Sequence, residues 1–372
     1  MTARTVLVVG ASGLIGAGTV DAFLDAGWEV IAVSRRKPEV FSAREFVHLP
    51  VDLQDEAGCK AAFGGLSAVT HVVYTAVYEM PGLIPGWSDP RQMETNRRML
   101  CNVLDPLLTV ARLEHFTLMQ GTKAYGMQPT RAGDGIKLKP MRIPARERQP
   151  RIEHANFYWL QEDYLREKSG LAGFAWTIFR PTIVIGPNVG VVMNTIPVIG
   201  VFAALCREEG LPFAYPGHVA FVREAVDVRL IGRAAVWAAQ APAARDEHFN
   251  LTNGEVFAWK DLWPSLAEHL GVETSADRPL KLAEYLPGRS HVWDRIVEKH
   301  GLRRLSIEAI LGESHHSADL RFGYGLKEPP PPVFVSTVKV KQAGFTDTCD
   351  TEVAIKHWLT VLMTRKIIPR AG

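Results

Sequence analysis

Three closely spaced glycines constrain the fold of this chain more than any other feature of its sequence. They lie in GASGLIG at residues 10–16, after the β-branched run TVLVV and before a segment with apolar residues at helical spacing. Glycines in this context let a strand turn sharply into a helix, and the N–H groups at the start of that helix bind a pyrophosphate. The sequence therefore predicts a dinucleotide site rather than a glycine-rich turn without a ligand. The predicted cofactor-binding residues of this turn are Gly10, Ser12, Gly13, Leu14, Ile15 and Gly16.

Strand-like and helix-like segments alternate through the first half of the chain. Strand-like runs follow at residues 29–33, 69–76, 115–120 and 175–180, and a long helical pattern covers about residues 91–113. Strands that alternate with helices form parallel sheets whose two faces are both covered. The sequence therefore predicts an α/β fold with a Rossmann-type doubly wound parallel sheet.

The residues after the second predicted strand indicate which dinucleotide binds. An NAD enzyme usually has Asp or Glu there, which accepts hydrogen bonds from the ribose hydroxyls. This chain has Ser34, Arg35 and Arg36 instead. No carboxylate repels a 2′-phosphate at this place, and two guanidinium groups are available to bind it, so NADPH is the predicted cofactor. The alternative is that both arginines lie on a solvated loop. Asp52 and Leu53, which follow the third strand, are predicted to flank the adenine.

The pattern becomes less regular after residue 186, where glycine, proline and irregular segments are more frequent. We expect residues 1–186 to form an NADP-binding Rossmann domain. Residues 187–372 are expected to form a smaller substrate-binding lobe that covers the substrate and returns some elements to the Rossmann domain. Helices are predicted in this lobe at residues 226–240 and 259–271, where apolar residues recur at helical spacing.

Composition and charge exclude several classes of protein. The chain has 42 basic and 40 acidic residues, a net charge of +2 and no long basic run, so we expect no nucleic-acid partner. Its four cysteines lie far apart without C-x-x-C, which predicts neither disulfides nor zinc and favours a reducing compartment. The histidines lack H-x-x-x-H spacing, so no metal site is predicted. The longest apolar stretch, residues 195–206, is too short to span a bilayer. We therefore expect a cytoplasmic protein without membrane association.

The segment HANFYWLQEDYLREK, residues 154–168, contains two candidate catalytic tyrosines. A hydride reductase needs a group that stabilises negative charge on an oxygen, and a tyrosine beside a lysine provides one. Tyr164 and Lys168 spell Y-x-x-x-K. Tyr158 has Glu162 where that pattern requires lysine, so the literal motif points to Tyr164.

Helix geometry favours Tyr158. Six positions on a helix place the two tyrosines about 240° apart, so they cannot serve one site. Tyr164 shares its face with Phe157 and Leu160, which predicts a core position for it. A lysine for Tyr158 is available at Lys123 in MQGTKAYG, just past a predicted strand, where doubly wound sheets bind their ligands. From its position alone, Lys123 is equally explained as an exposed loop lysine.

The chain resembles the progesterone 5β-reductase/iridoid synthase-like family, an atypical branch of the extended short-chain dehydrogenases/reductases. The family hallmark N-F-Y-[YW]-x-x-E-D is present as NFYWLQED at residues 156–163, and the upstream G-T-K-x-Y is present as GTKAY at 121–125. The similarity runs along nearly the whole chain. In that family the first tyrosine and the upstream lysine are catalytic, so the resemblance implies these roles for Tyr158 and Lys123.

The resemblance also implies a reaction, the NADPH-dependent 1,4-reduction of an activated C=C bond in a small hydrophobic enone or enal. Hydride goes to the β-carbon, and Tyr158, supported by Lys123, stabilises the enolate oxygen. A homodimer is a further implication. Cofactor contacts implied at the ends of later strands are Thr75, Ala76, Gln120, Gly121, Tyr158, Arg180, Pro181, Thr182 and Ile183. One feature departs from the family, because Val77 or Tyr78 stands where an aromatic residue, usually tryptophan, is common.

Two other functions are compatible with the same residues. A carbonyl reductase or a sugar-nucleotide epimerase/dehydratase uses the same scaffold, but the absence of Y-x-x-x-K at Tyr158 counts against both. A regulator that senses NADPH without chemistry would need neither Tyr158 nor Lys123, whereas this chain has both.

Overall fold

The computed structural model describes residues 4–126, 129–132, 135–138, 141–153 and 155–371. The strands are β1 Thr5–Val9, β2 Glu29–Val33, β3 Val47–Leu49, β4 Val69–Tyr74, β5 His115–Met119, β6 Pro129–Ala132, β7 Gly135–Leu138, β8 Ala175–Pro181, β9 Ile183–Ile185, β10 Val222–Arg223, β11 Ala225–Asp227, β12 Glu247–Leu251 and β13 Phe257–Ala258. The α-helices are α1 Leu14–Asp25, α2 Glu56–Phe63, α3 Pro90–Leu108, α4 Phe157–Ala172, α5 Thr195–Glu208, α6 Val228–Ala238, α7 Trp259–Leu270, α8 Leu282–Tyr285, α9 Ser290–His300, α10 Ile307–Leu311, α11 Ser314–Phe322, α12 Val338–Gln342 and α13 Thr351–Thr364.

The central sheet has seven strands in the order β3-β2-β1-β4-β5-β8-β12, and all neighbours are parallel. The strand order reverses between β1 and β4, which is the point at which doubly wound sheets bind ligands beyond the carboxyl ends of their strands. The strands β1 and β5 are buried along their whole length, as expected of strands covered on both faces. The predicted Rossmann-type α/β fold is confirmed.

Helices cover both faces of this sheet. Side chains alternate along β1, so that Val6 and Val8 face one hydrophobic cluster while Leu7 and Val9 face another. The first cluster includes residues of α1 and α6, and the second includes residues of α3 and α4. The helix α6 packs against α1 at Gly18, where a Cβ atom would lie only 3.0 Å from Val228 Cβ. The second half of the chain therefore contributes both a covering helix and the edge strand β12 to the sheet.

The predicted element bounds differ from the observed ones at two places. The strand β4 ends at Tyr74, so Thr75 and Ala76 lie just beyond it. The helix α3 ends at Leu108 rather than near residue 113. The N–H groups of Thr109 and Val110 turn back to carbonyls three residues earlier, at 3.3 and 3.1 Å, and this tighter turn closes the helix.

The remaining lobe has its own hydrophobic core around α5, whose residues 195–206 are all buried. Trp259 and Trp263 lie in this core, as their shared helical face predicts, and Trp263 stacks on Phe213 with ring centroids 4.4 Å apart. Across the described ranges, no helix is long and apolar enough to cross a membrane.

Candidate active site

The glycine turn brings the ends of β1 and β4 into close contact. Gly10 has a φ of +83°, and a Cβ atom there would lie 2.6 Å from the backbone nitrogen of Ala76. A Cβ atom on Gly16 would overlap the carbonyl oxygen of Gly10. Gly13 precedes α1 and has no side chain that could cap the helix. No side chain therefore caps the first-turn N–H groups of Leu14, Ile15 and Gly16, which point out of the N-terminal end of the helix. This cradle fits a pyrophosphate.

Ser34, Arg35 and Arg36 follow β2 at the same edge of the sheet. The Ser34 hydroxyl donates to the carbonyl oxygen of Arg36 at 2.7 Å and shapes this turn. Both arginines are exposed, and within the described part of the chain neither guanidinium forms an ion pair with a carboxylate. The turn therefore has free positive charge next to the glycine cradle, which fits a 2′-phosphate.

Asp52 and Leu53 follow β3 but differ in environment. Asp52 is exposed, and its carboxylate accepts from the Gln54 N–H at 3.0 Å. Leu53 is buried in the core beneath the strand ends, and its carbonyl oxygen accepts from the Asn102 side chain at 2.9 Å. Asp52 thus borders the cofactor edge, whereas the Leu53 side chain packs inward.

The ends of β5 and β8 meet beside the glycine cradle. The N–H of Gln120 donates to the carbonyl of Phe179 at 2.8 Å, and a Cβ atom on Gly121 would lie 3.7 Å from the carbonyl of Pro181. The N–H of Thr182 then donates to the carbonyl of Leu251 at 3.2 Å. Ile183 is the first residue of β9, which pairs with β11. The predicted contacts after β4, β5 and β8 therefore lie at the carboxyl ends of sheet strands or directly after them.

Tyr158 lies in the first turn of α4, and three contacts tie that turn to the end of β5. The Asn156 side chain caps the helix by accepting from the Tyr158 N–H at 3.1 Å and donates to the carbonyl of Lys123 at 3.2 Å. Gln120 donates to the Tyr158 carbonyl at 3.3 Å. The Tyr158 hydroxyl lies 3.1 Å from the place of a Cβ atom on Gly121. The phenol therefore sits against the GTK segment.

Lys123 is a largely covered lysine rather than an exposed loop residue, since its side chain is only 12% exposed. Its Nζ lies 3.4 Å from Glu79 Oε1 and 3.8 Å from the centroid of the Trp87 ring. The other carboxylate oxygen of Glu79 accepts from Gln92 at 2.6 Å and from the Trp87 indole at 3.1 Å. An aromatic ring therefore does stand beside the lysine, but it comes from residue 87 and not from residue 77 or 78.

Burial and charge oppose each other at the phenol and the ammonium. Burial raises the pKa of Tyr158, the Glu79 carboxylate raises it further, and Arg180 opposes this. Burial lowers the pKa of Lys123, and Glu79 opposes this. Tyr158 is consequently a neutral hydroxyl that can donate a hydrogen bond, and Glu79 helps Lys123 to keep its charge.

Glu162 occupies the position where Y-x-x-x-K would place a lysine for Tyr158. Its side chain is almost fully buried and is surrounded by cationic and polar groups. Burial acts to raise the pKa of this carboxyl, but its neighbours, His248 and Arg151 foremost, hold it well below its usual range. The partners of Glu162 are Arg151, Arg166 and His248, each at 3.0 Å, Gln120 at 3.4 Å and Arg180 at 3.6 Å.

Tyr164 and Lys168 face a different part of the molecule. The Tyr164 hydroxyl donates to Asp105 at 2.6 Å, and Lys168 Nζ lies 2.7 Å from the same carboxylate. Tyr164 is buried in the core between α3 and α4, as predicted. Leu160, which was expected to share that core face, is 38% exposed. The literal Y-x-x-x-K pair is thus bound to α3.

Arg180 belongs to a buried polar network at the ends of the strands. It donates to Gln120 at 3.2 Å and to the Tyr125 hydroxyl at 3.2 Å. Tyr125 in turn donates to Asn250 of β12 at 2.7 Å. The network links the ends of three strands and holds the Lys123 segment in place.

Sequence analysis missed Glu79, Trp87 and Gln92. Glu79 and Trp87 lie in the connection between β4 and α3, where no periodicity indicates which side chains turn inward. The motif NFYWLQED did contain a signal for Glu162, because a carboxylate one helical turn after the tyrosine requires cations nearby when it is buried. The described residues hold no cluster of three or more His, Cys, Asp or Glu able to bind a metal.

Comparison with known proteins identifies the chain. The model of the NAD dependent epimerase/dehydratase family matches residues 6–252. The chain belongs to this family. It is 32% identical to an (S)-8-oxocitronellyl enol synthase of Camptotheca acuminata, over 98% of this chain and 93% of that protein. It is 29% identical to a 3-oxo-Delta(4,5)-steroid 5-beta-reductase of Arabidopsis thaliana, over 98% and 92%.

These relatives confirm the resemblance to the progesterone 5β-reductase/iridoid synthase-like branch of the family. Among solved structures, UDP-glucose 4-epimerase of Thermotoga maritima has a TM-score of 0.66 at 19% identity and covers 98% of this chain and 99% of its own. The Thermus thermophilus enzyme in complex with NAD has a TM-score of 0.62 at 18% identity, over 96% and 98%. These two structures share the fold. The family member described here is an oxidoreductase that uses a nicotinamide cofactor.

Proposed function

We propose that this oxidoreductase is an NADPH-dependent reductase of activated C=C bonds in small hydrophobic enones or enals. The observation that carries the proposal is the position of the Tyr158 hydroxyl against Gly121, two residues from the buried Lys123. The names of the relatives, an enol synthase and a 5-beta-reductase acting on a 3-oxo-Delta(4,5)-steroid, support the same chemistry. When bound, NADPH supplies the hydride.

Tyr158 and Lys123 act on the oxygen where negative charge develops. The raised pKa of Tyr158 keeps the phenol protonated, so it donates a hydrogen bond to the carbonyl oxygen of the substrate. The Lys123 ammonium, held by Glu79, adds positive charge beside that oxygen as it becomes an enolate. The α-carbon then takes its proton from solvent.

The cofactor preference follows from the turn after β2. Arg35 and Arg36 are exposed and without carboxylate partners among the described residues, and Ser34 replaces the acidic residue of an NAD site. Two guanidinium groups bind a 2′-phosphate by charge-assisted hydrogen bonds. These features support NADPH over NADH.

Carbonyl reduction and epimerisation are less well supported. Both use a tyrosine with a lysine one helical turn later, whereas Tyr158 has Glu162 there, surrounded by cations. The one pair with the required spacing, Tyr164 and Lys168, is engaged by Asp105 on α3. A cofactor-sensing regulator would need neither the Tyr158 phenol nor the Lys123–Glu79 ion pair.

The reaction is tested by following NADPH absorbance with cyclohex-2-enone and, separately, with cyclohexanone. We expect oxidation with the enone and not with the saturated ketone. Oxidation with cyclohexanone alone would assign the protein to the carbonyl reductases. Oxidation with neither compound, together with tight NADPH binding, would favour the regulator.

The choice of tyrosine is tested by two matched phenylalanine variants. Tyr158→Phe removes the hydroxyl that lies against Gly121 and is expected to lower kcat by about 100-fold or more, since a positioned acid contributes at least that much. Its affinity for NADPH, measured by fluorescence titration, should persist. Tyr164→Phe removes an equal hydroxyl that donates to Asp105 on α3, and its kcat should stay within about threefold of wild type. Equal losses in the two variants would refute the assignment of Tyr158.

A further inference from the structure

Arg321, near the end of α11, is a partly buried cation with an unused hydrogen-bond donor. One terminal nitrogen donates to the carbonyl of Met193 at 2.9 Å. The other is buried and has no partner among the described residues. A guanidinium carries five N–H donors, and proteins rarely bury one without a carboxylate or another acceptor. This arginine therefore has an unfilled requirement for an acceptor.

Arg223 of β10 is a second guanidinium that has no carboxylate partner among the described residues. It is 9% exposed, and its one hydrogen bond among the described residues goes to the carbonyl of Val222 at a long 3.4 Å. Its guanidinium lies over the Phe221 ring at 4.2 Å, which leaves its edge donors without a carboxylate from the described chain. The neighbouring Glu224 is not its partner, because that carboxylate accepts from the Val335 N–H at 2.9 Å.

The two arginines are close to each other. Phe221, which lies under Arg223, also packs on the turn that follows α11, where a Cβ atom on Gly323 would be 2.7 Å from the Phe221 ring. Each guanidinium has a lowered pKa because of burial, and Arg223 lowers the pKa of Arg321 further by charge repulsion. Two like charges are thus held together, and the described residues supply no anion between them.

Both arginines are linked to the chain that follows the predicted nicotinamide contacts Pro181, Thr182 and Ile183. In the parallel pairing of β9 with β11, Ala225 faces Ile183, and Arg223 lies two residues upstream, about 7 Å along an extended chain. Arg321 is bound to Met193, which precedes the helix after β9. Short chain segments therefore connect both arginines to the strand β9 that follows the predicted nicotinamide contact.

The other end of α11 faces the Lys123 site. Glu313, directly before this helix, accepts from the N–H of Gly82, in the same connection that carries Glu79 and Trp87. Seven residues of helix separate Ser314 from Arg321, which is about 10 Å along the axis. The distance between the connection that carries Glu79 and the guanidinium groups of Arg223 and Arg321 therefore suits a small elongated molecule.

We propose that Arg223 and Arg321 form an anion subsite that binds a carboxylate or phosphate group on the substrate, at the opposite end from the reacting enone. This inference rests on the proposed enone reduction. An anionic group would fill the unused guanidinium donors and offset the repulsion between the two charges. The substrate class becomes an enone or enal with an apolar body and an anionic tail.

The test compares enones that differ only in the charge of the tail. Cyclohex-2-enones that carry an ω-carboxyalkyl chain of about two to six methylenes at ring carbon 5, a range that spans the helix length, are assayed beside their methyl esters. Wild type should prefer the acid over the ester at one or more chain lengths. In Arg321→Gln the acid-to-ester ratio of kcat/KM should fall by about 10- to 100-fold, as expected when a charge-assisted hydrogen bond is lost. Arg321→Lys should retain part of the preference.

A matched control removes an arginine that already has a carboxylate partner. Arg289 of the same lobe pairs with Glu209 at 3.0 Å, so Arg289→Gln changes the net charge equally without touching the subsite. Its acid-to-ester ratio should equal that of wild type. An equal fall in Arg289→Gln and Arg321→Gln, or a wild type without any preference for the acids, would overturn the substrate assignment.

Anion binding is also tested without turnover. Inorganic phosphate is added to the protein saturated with NADP+, so that the cofactor's own phosphate sites are filled, and Tm is measured. Phosphate should raise the Tm of wild type and Arg289→Gln more than that of Arg321→Gln or Arg223→Gln. Equal Tm changes in wild type and Arg321→Gln would overturn the anion subsite. If no enone is reduced at all, the proposed function fails, and the phosphate measurement still decides the subsite.

Discussion

Glu79 is the residue on which the charge of the active site depends. Its side chain is 2% exposed and that of Lys123 is 12% exposed, so the two form a nearly dry ion pair. An ammonium in such a place loses its proton easily unless an anion lies beside it. Gln92 and Trp87 fix the carboxylate by hydrogen bonds, which makes Glu79 a positioning residue for Lys123.

Replacing Glu79 by glutamine removes this anion with little change of shape. Glu79 raises the pKa of Lys123 against the effect of burial, so its removal lowers that pKa and the ammonium is lost at lower pH. In Glu79→Gln we expect the alkaline limb of the kcat/KM profile to move to lower pH, with a loss of about tenfold or more at about pH 9. Enone reduction measured across the range from about pH 6 to 10 shows the shift.

The control for this substitution is Glu94→Gln on α3. Glu94 is exposed and pairs with Arg97 at 3.3 Å, so the variant loses the same charge at a solvated site that has its own cationic partner. Its profile should match that of wild type. An unchanged alkaline limb in Glu79→Gln would contradict the role of Glu79.

For individual site residues, the sequence was informative only where a motif was local. NFYWLQED and GTKAY identified Tyr158 and Lys123 as candidates, and the structure brings their segments together. The three arginines and the histidine around Glu162 come from residues 151, 166, 180 and 248, and only residue 166 stands at helical spacing from it. Contacts between distant segments depend on the packing of the whole fold, and one sequence without its structure does not reveal them.

Among the elements, the turn from β1 to α1 tolerates the least change. A Cβ atom on Gly16 would overlap the Gly10 carbonyl oxygen, so Gly16→Ala must open the turn. The pyrophosphate cradle would widen, and we expect the Kd for NADPH to rise about 10- to 100-fold. Fluorescence titration measures the change.

A second glycine in a helix provides the comparison. At Gly170 of α4 no atom of the described chain lies within 4 Å of the place that an added methyl group would take, so Gly170→Ala meets no obstacle. It should leave the Kd for NADPH unchanged and stabilise the helix by about 0.5–1 kcal/mol. If Gly16→Ala bound NADPH as tightly as Gly170→Ala, the turn would not be the pyrophosphate site.

Strands were easier to predict than the elements that surround them. Buried parallel strands are continuous β-branched and apolar runs, and β1, β2 and β5 lie within a residue of their predicted bounds. The edge strand β12 has the sequence EHFNL, which has no comparable run. Its place beside β8 is decided by long-range packing, including the hydrogen bonds of Asn250 to Ala145 and Ser336.

In the whole molecule, Glu224 joins parts of the chain that are distant in sequence. It lies between β10 and β11 and accepts from the Val335 N–H at 2.9 Å. Val335 in turn forms a parallel bridge with Ala145, which contacts β12 through Asn250. A buried carboxyl therefore lies where the lobe meets the sheet, and burial raises its pKa to about 7.

This carboxyl makes the stability of the whole chain depend on pH. Its pKa is 4.5 when unfolded and about 7 when folded, so the folded protein binds more protons between these values. The free energy of unfolding therefore falls as pH rises from about 4.5 to 7, and the loss persists above about pH 7.

Glu224→Gln keeps an oxygen acceptor for Val335 and carries no charge. We expect this variant to be more stable than wild type by about 1 to 3 kcal/mol at about pH 8.5, measured as a higher Tm, and to differ little at about pH 5. The exposed Glu45→Gln should show no such dependence on pH, and a Tm difference for Glu224→Gln that is the same at both pH values would contradict the assignment.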